Sequence, residues 1–132
     1  MIKSILRALT EREDLLLRIA VAFPMIWAGV SQIMNPTDWI GFVPSWLGSF
    51  IAPEAFLTVH SVFNIVVGIG LLIGLWRVLF SAAAVASLAG IVIFYGVDDV
   101  TFRDVGLTIV ASVLFLRALK GRWKFHAVRT SV

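Results

Sequence analysis

Four long apolar runs dominate the chain, at roughly residues 15–34, 54–76, 78–97 and 104–119. Each approaches the ~20 residues that an α-helix needs to cross a hydrocarbon core about 30 Å thick, although the fourth run is slightly short. Backbone groups inside lipid must be paired within the protein, which favours helices for all four runs. We therefore predict an all-α protein, in which residues 1–132 form one domain built as a transmembrane four-helix bundle.

The segment between the first two runs, residues 39–52 (WIGFVPSWLGSFIA), is apolar but interrupted by glycine and proline. It is too short and too broken to cross a bilayer. Trp39 and Trp46 are typical anchors at the boundary between lipid and water. We expect an interfacial or re-entrant segment, and the sequence leaves open whether it enters the membrane.

The N-terminal residues have their own pattern. Residues 2–9 space apolar side chains at helical intervals opposite Lys3 and Arg7, which predicts a short helix lying on the membrane surface. Thr10 followed by Glu13 has the spacing of a capping box and predicts that the next helix begins there. Arg18 lies near the N-terminal end of the first run, where we expect its side chain to reach the lipid headgroups.

Basic residues are distributed unevenly between the two sides of the predicted bundle. Ten of the eleven lie at the side of the termini and of the turn near Arg77, whereas Arg103 lies on the other side among five acidic residues. The positive-inside rule then places both termini in the cytoplasm, as an even number of spans requires. The pI of about 10.0 reflects this topology. It indicates membrane lipids with anionic headgroups as partners and not nucleic acid.

Composition narrows the class of protein. The apolar fraction is 60% and the charged fraction 14%, against roughly 45–50% and 25% in soluble domains. We therefore expect a multi-pass protein of the cytoplasmic membrane. The absence of cysteine excludes disulfides, thiolate catalysis and cysteine-ligated metals, and two distant histidines do not favour a metal site. No catalytic motif is present, so we expect no intrinsic cofactor and leave catalytic residues unassigned.

Several polar side chains occupy the outer half of the predicted bundle. The candidate ligand-binding residues are Gln32, His60, Asn64, Arg103, Asp104 and Thr108. His60 and Asn64 are one helical turn apart, as are Asp104 and Thr108. Because an unpaired polar group in lipid costs several kcal/mol, we expect these side chains to face each other or a hydrated pocket. The alternative is that they only join helices by hydrogen bonds, each worth about 0.6 kcal/mol.

Small residues in the second run predict close packing. The stretch GIGLLIG (68–74) contains Gly70-xxx-Gly74, a pattern that lets helices approach closely, and the alanine-rich stretch 81–90 offers a smooth partner surface.

Three stretches resemble the DoxX/DoxD-like family of small four-span membrane proteins: WAGVSQIMNP (27–36), GIGLLIGLWR (68–77) and FRDVGL (102–107). The resemblance covers about residues 15–120. The family takes its name from a small subunit of an archaeal thiosulfate:quinone oxidoreductase, and relatives are linked to membrane redox complexes. The resemblance points to Arg18, Gln32, Pro36, Arg77, Arg103 and Asp104. Many members carry a glutamate where this chain has Asn64, so proton-coupled chemistry there is in doubt, and His60 is the alternative titratable group.

Two functions remain open at this stage. The resemblance implies a subunit of a redox-linked, quinone-associated complex, which binds a hydrophobic ligand such as quinone in the outer half of the bundle. Such a chain is at most an accessory subunit of an oxidoreductase, because it needs a partner protein or a redox-active ligand to carry electrons. The alternative is a non-enzymatic scaffold, assembly or lipid-binding protein, acting with a partner or as a homo-oligomer.

Overall fold

The computed structural model describes the backbone of residues 1–130 and the side chains of residues 1–9 and 12–121. The helices are α1 (Ile2–Glu11), α2 (Glu13–Met34), α3 (Pro36–Trp39), α4 (Pro53–Ile73), α5 (Arg77–Phe94) and α6 (Phe102–Thr130). No strand occurs within residues 1–130, which confirms the all-α prediction.

Among the described residues, three helices have the length and apolarity of membrane spans: α2, α4 and α5. In α6, Asp104 and Arg117 bound an apolar stretch of only residues 105–116. A stretch of that length is shorter than the ~20 residues that cross a bilayer unaided. This part of the chain thus has three clear candidate spans and a fourth helix with a shorter apolar stretch.

The four long helices pack in a closed order. Helix α2 contacts α4, α4 contacts α5, α5 contacts α6, and α6 returns to α2. The buried core draws on all four helices: Val21, Ala22, Met25, Val67, Leu71, Ala84, Leu88, Ala111 and Leu114. Many large apolar side chains remain exposed around the outside, Phe23 and Leu79 among them, as expected for a surface that faces lipid.

The closest approach between helices lies between α2 and α4. A Cβ atom on Gly29 would come within 2.6 Å of the Ser61 carbonyl oxygen, and one on Gly68 within 3.0 Å of the Ala22 carbonyl oxygen. The glycine pattern predicted a different contact, between the Gly70-xxx-Gly74 stretch and the alanine-rich third run, which is α5. Gly70 packs against the Phe80 ring of α5, 2.6 Å from its added Cβ, and Gly74 serves as the end of α4.

Helix α4 ends in a left-handed turn. Gly74 has φ 77°, and the Leu75 N–H donates to the Gly70 carbonyl at 3.1 Å, which completes a Schellman-type cap. Arg18 also bonds to this end of α4: its Nη1 donates to the carbonyl oxygens of Leu71 and Leu72, each at 3.1 Å. That Arg18 reaches the headgroups stays a prediction. Its side chain is bound to the end of the neighbouring helix.

The start of α2 differs from the capping-box prediction. Helix α1 continues through Thr10, and Arg12 occupies the N-cap position without a side-chain cap bond. The capping-box prediction is wrong, because the backbone is still helical at Thr10 and so Thr10 cannot be an N-cap. Helix α1 does expose Ile2 and Ile5, in keeping with a helix that lies on a membrane surface.

The segment after α2 folds into short helical turns. Helix α3 is followed by 3₁₀ turns at Ile40–Phe42 and Ser45–Ser49. Phe42 packs on Tyr95 at a centroid distance of 5.0 Å, and Trp46 packs on Phe94 at 5.7 Å. These ring contacts fix the segment across the end of α5.

We predict that Gly29→Ala destabilises the protein by about 1–3 kcal/mol, because the new methyl group meets a backbone oxygen that cannot move aside. The measurement is the thermal unfolding midpoint in detergent. Gly90→Ala is the matched control, because a Cβ on Gly90 meets nothing within 4 Å. Equal effects of the two substitutions would contradict a tight contact between α2 and α4.

Candidate functional site

Five polar side chains from three helices meet inside the bundle. We call Gln32, His60, Ser61, Asn64 and Ser87 the polar cluster. Gln32 comes from the last turn of α2, and Ser87 comes from the middle of α5. The other three lie on α4, where His60 and Asn64 share one face.

His60 is the centre of the polar cluster. Its Nδ1 lies 3.3 Å from Gln32 Oε1 and 3.3 Å from Asn64 Nδ2. Its Nε2 lies 3.3 Å from Ser87 Oγ, and the Ser87 hydroxyl lies 3.3 Å from Asn64 Oδ1. The ring also stacks on Phe56, at a centroid distance of 5.8 Å and an interplanar angle of 17°.

One neutral tautomer satisfies more of these contacts than the other. With the proton on Nε2, His60 donates to Ser87, Ser87 donates to Asn64 Oδ1, and Asn64 donates to the bare Nδ1. Gln32 Oε1 and the Leu57 carbonyl then share the single hydrogen of the Ser61 hydroxyl, at 3.0 and 2.6 Å. With the proton on Nδ1, Ser87 has one hydrogen for two acceptors. We therefore assign the Nε2–H tautomer, in which three side chains form a closed ring of hydrogen bonds.

Two cavities border the polar cluster. The first, which we call the cap cavity, has a volume of about 320 Å³ and lies under the segment 39–47, with Phe56, Phe94 and Tyr95 in its wall. The second, the lateral cavity, has a volume of about 570 Å³ and lies between α2, α5 and α6, beside Phe23 and Trp27. The residues common to both are Gln32, Trp39, His60, Ser87, Ile91, Arg103 and Asp104.

Arg103 and Asp104 supply the charges at these cavities. Arg103 Nε lies 3.9 Å from Asp104 Oδ1, and the side chains are 55% and 12% exposed, respectively. The carboxylate is therefore largely buried, whereas the guanidinium is more than half exposed. The pair lines the same cavities as His60, which thus combine apolar walls with one exposed cation.

The predicted site residues divide into two groups. Gln32, His60, Asn64, Arg103 and Asp104 each line at least one of the two cavities. Thr108 does not line either. Its hydroxyl donates to the Asp104 carbonyl of its own helix at 2.6 Å, which is a bond that needs no neighbouring helix.

Sequence reasoning missed Ser61 and Ser87. Ser87 lies in the alanine-rich stretch 81–90, for which the sequence predicts only close packing of helices. In the structure its hydroxyl hydrogen-bonds to side chains of α4 and so joins α5 to α4. Ser61 Oγ bridges Gln32 and the Leu57 carbonyl, the latter at 2.6 Å. The available signal was spacing: Ser61 adjoins His60 and precedes Asn64 by three residues. Within the described residues, no group of three His, Cys, Asp or Glu side chains could hold a metal ion.

The sequence profile of the DoxX family matches residues 14–97. The chain belongs to the DoxX family. Together with the three apolar helices, this membership makes it a multi-pass membrane protein. The match covers α2, α4, α5 and the segment between α2 and α4, whereas Arg103, Asp104 and Thr108 of this DoxX protein lie beyond it. No curated protein and no solved structure matches the chain.

The loop before α6 positions Arg103 and Asp104. Asp98 accepts hydrogen bonds from the backbone N–H groups of Val100 and Thr101 at 2.8 and 2.7 Å, and these bonds lower the pKa of its carboxyl group. The buried Thr101 hydroxyl donates to the Gly96 carbonyl at 2.7 Å. The start of α6 is thereby tied to the end of α5.

We predict that Ser87→Ala costs about 1 kcal/mol of stability, because it leaves His60 Nε2 and Asn64 Oδ1 without their shared partner. Ser112→Ala is the matched control, since Ser112 bonds only to the Thr108 carbonyl of its own helix. Chemical unfolding in mixed detergent measures both. If Ser112→Ala is as damaging as Ser87→Ala, the interhelical bond contributes nothing.

We predict a pH-dependent effect of Asp98→Asn. The folded-state pKa of Asp98 is lowered, so the ionised carboxylate stabilises the fold above its unfolded pKa of about 3.9, and this contribution is lost as the pH falls through the folded pKa. The difference in melting temperature between the native chain and Asp98→Asn should therefore be largest at neutral pH and shrink toward about pH 3. Asp99→Asn is the control, and a pH-independent difference for Asp98→Asn would refute the prediction.

Proposed function

We propose that this DoxX protein is a small subunit of a redox-linked, quinone-associated complex in the cytoplasmic membrane. It binds a hydrophobic ligand with a carbonyl or hydroxyl head group, such as a quinone, in the cap and lateral cavities. The observation that carries the proposal is the polar cluster: it is the hydrogen-bonding face of cavities that are otherwise apolar and aromatic. Cavities of about 300–1,000 Å³ with a few polar groups are typical ligand sites.

The proposal includes four spans with both termini in the cytoplasm and residues 39–52 at the outer interface. Helix α6 supports this, because it closes the ring between α5 and α2. Arg117, at the far end of the apolar stretch 105–116 from Asp104, pairs with Glu13 at the start of α2. Asp104 and Arg117 thus lie at the two ends of this apolar stretch, where side chains can reach the headgroups.

The residues present suit a quinone head group. Its carbonyl oxygens accept hydrogen bonds, and the exposed Arg103 guanidinium is a donor at the cavities. The Ser87 hydroxyl and His60 Nε2 would also donate to the ligand once it displaces their partners within the polar cluster. The aromatic walls near Phe63 and Phe94 suit a flat ring. When bound, a quinone would supply reversible two-electron chemistry. His60 would orient the head group and exchange a proton, a role that the Asn64 amide does not share.

The chain has no cysteine, so we propose an accessory role in which a partner protein delivers or removes electrons. His60 and Arg103 then serve binding, and the partner supplies the redox centre. A homo-oligomer or a heteromeric complex would both satisfy this requirement.

The second candidate is a non-enzymatic scaffold or lipid-binding protein. The observation that favours it is that the polar cluster is satisfied internally: both ring nitrogens of His60 already have protein partners. On this reading the polar side chains only join α2, α4 and α5.

We predict that the native protein, extracted gently and analysed by native mass spectrometry, retains a quinone-like molecule and binds added short-chain benzoquinone. His60→Phe should abolish both, because it removes the ring nitrogens while keeping an aromatic ring to stack on Phe56. Ser112→Ala is the control and should bind normally.

Two results would decide against the redox proposal in favour of the scaffold. One is recovery of ordinary phospholipid alone, with no benzoquinone binding by the native chain. The other is unchanged binding in His60→Phe. A melting temperature for each variant shows whether lost binding reflects lost folding, and Ser87→Ala provides a second variant of the same cluster.

A further inference from the structure

A third cavity lies at the opposite end of the bundle from the polar cluster. It has a volume of about 390 Å³ and opens between the N-terminal ends of α2 and α5, the C-terminal end of α4 and residues 114–121 of α6. Three arginines line it: Arg18, Arg77 and Arg117. We call it the basic cavity, and we propose that it binds a phosphate group, supplied by the headgroup of an anionic membrane lipid or by a free phosphate compound.

The charges in the basic cavity are not balanced. Asp14 is the acidic side chain among its lining residues, and it serves two arginines: its Oδ2 lies 3.2 Å from Arg18 Nε and 3.3 Å from Arg77 Nη1. Arg117 pairs with Glu13, which is not part of the wall. The wall therefore presents three guanidinium groups to one carboxylate, and an anion is the complementary ligand.

The three arginines differ in how much of their side chains is exposed. Arg18 is only 13% exposed and is bound to the carbonyls that end α4. Arg77 and Arg117 are 55% and 39% exposed. Arg77 shares its carboxylate with Arg18, so a second anion would complete its coordination. The planar fork of arginine matches phosphate oxygens in a bidentate manner.

The shape of the basic cavity also suits a lipid headgroup. Leu71, Leu114 and Ala118 give the lining an apolar part, and Gly121 leaves space there, since a Cβ on it would meet nothing within 4 Å. Basic pockets between transmembrane helices are typical sites for anionic headgroups. A phosphate at the arginines would leave the glycerol and acyl parts against this apolar surface. The proposal is independent of the quinone proposal and of which side of the membrane this end faces.

The test uses the full chain in nanodiscs of phosphatidylcholine, with and without phosphatidylglycerol, followed by native mass spectrometry of retained lipid. We expect the native chain to retain phosphatidylglycerol selectively. Arg77→Gln should reduce retention about fivefold, as expected for the loss of one cationic contact. Arg12→Gln is the matched control, because Arg12 is a basic residue of the same end that does not line the cavity, and it should leave retention unchanged.

A second arm separates the two sources of phosphate. Inorganic phosphate is titrated into the phosphatidylcholine nanodiscs, and the melting temperature is followed. Stabilisation that Arg77→Gln removes would assign the site to a free phosphate compound, whereas lipid retention without stabilisation would assign it to a headgroup. If the native chain shows neither lipid retention nor stabilisation by phosphate, the proposal is overturned.

Equal losses in Arg77→Gln and Arg12→Gln would also overturn it, because they would show general attraction of a basic surface for anionic lipid. Arg77→Lys guards against misfolding as an explanation. It keeps the charge without the fork, so it should retain more phosphatidylglycerol than Arg77→Gln at a comparable melting temperature. Retention in Arg77→Lys as low as in Arg77→Gln, with both variants folded, would contradict charge recognition.

Discussion

The close contact between α2 and α4 is the interaction on which both ends of the bundle depend. At its centre, Gly29 and Gly68 bring the two backbones together. Beyond Gly29, the same approach lets Gln32 reach His60 and Ser61. Beyond Gly68, toward the other end, it lets Arg18 reach the last carbonyls of α4. One packing seam thus positions a neutral hydrogen-bonded site at one end and a charged site at the other.

The polar cluster and the basic cavity pair their polar groups in different ways. Inside hydrocarbon a polar group must find its partner in the protein. His60, Asn64 and Ser87 lie within their helices and use neutral hydrogen bonds in a closed ring. Arg18 and Arg77 lie near the N-terminal ends of their helices and share the Asp14 carboxylate. In these helices neutral groups occupy interior positions and ionic pairs occupy the ends, where charges cost less in a membrane protein.

Features that follow from local composition could be predicted from the sequence. Contacts between residues far apart in the chain could not. Helical runs and the inward placement of Gln32, His60 and Asn64 follow from the cost of polar groups in lipid. Ser87 could not be singled out, because a serine in a helix can bond equally well to its own backbone, as Ser112 does. Gly29 has no small residue four positions before or after it, so no close-approach pattern marked its contact with Ser61.

Arg18 and the start of α2 show the same limit. The reach of Arg18 is decided by carbonyls more than fifty residues away in sequence, which no local pattern reports. The capping-box spacing at Thr10 and Glu13 was a purely local argument, and the helix continued past it. The fourth helix was anticipated from its apolar run, yet its status as a span rests on how Asp104 and Arg117 are accommodated at the two ends of the apolar stretch 105–116.

The position of the segment 39–52 bears on how a molecule could enter the cavities. Its ring contacts with Phe94 and Tyr95 cover the cap cavity at the end of α5, while the lateral cavity is bordered by Phe23 and Trp27, which are exposed on the side of α2. A molecule that reaches His60 from that side would arrive sideways, out of the lipid leaflet. Occupancy would then follow its mole fraction among the lipids, so a compound that partitions poorly into lipid would be disfavoured before any hydrogen bond to the polar cluster forms.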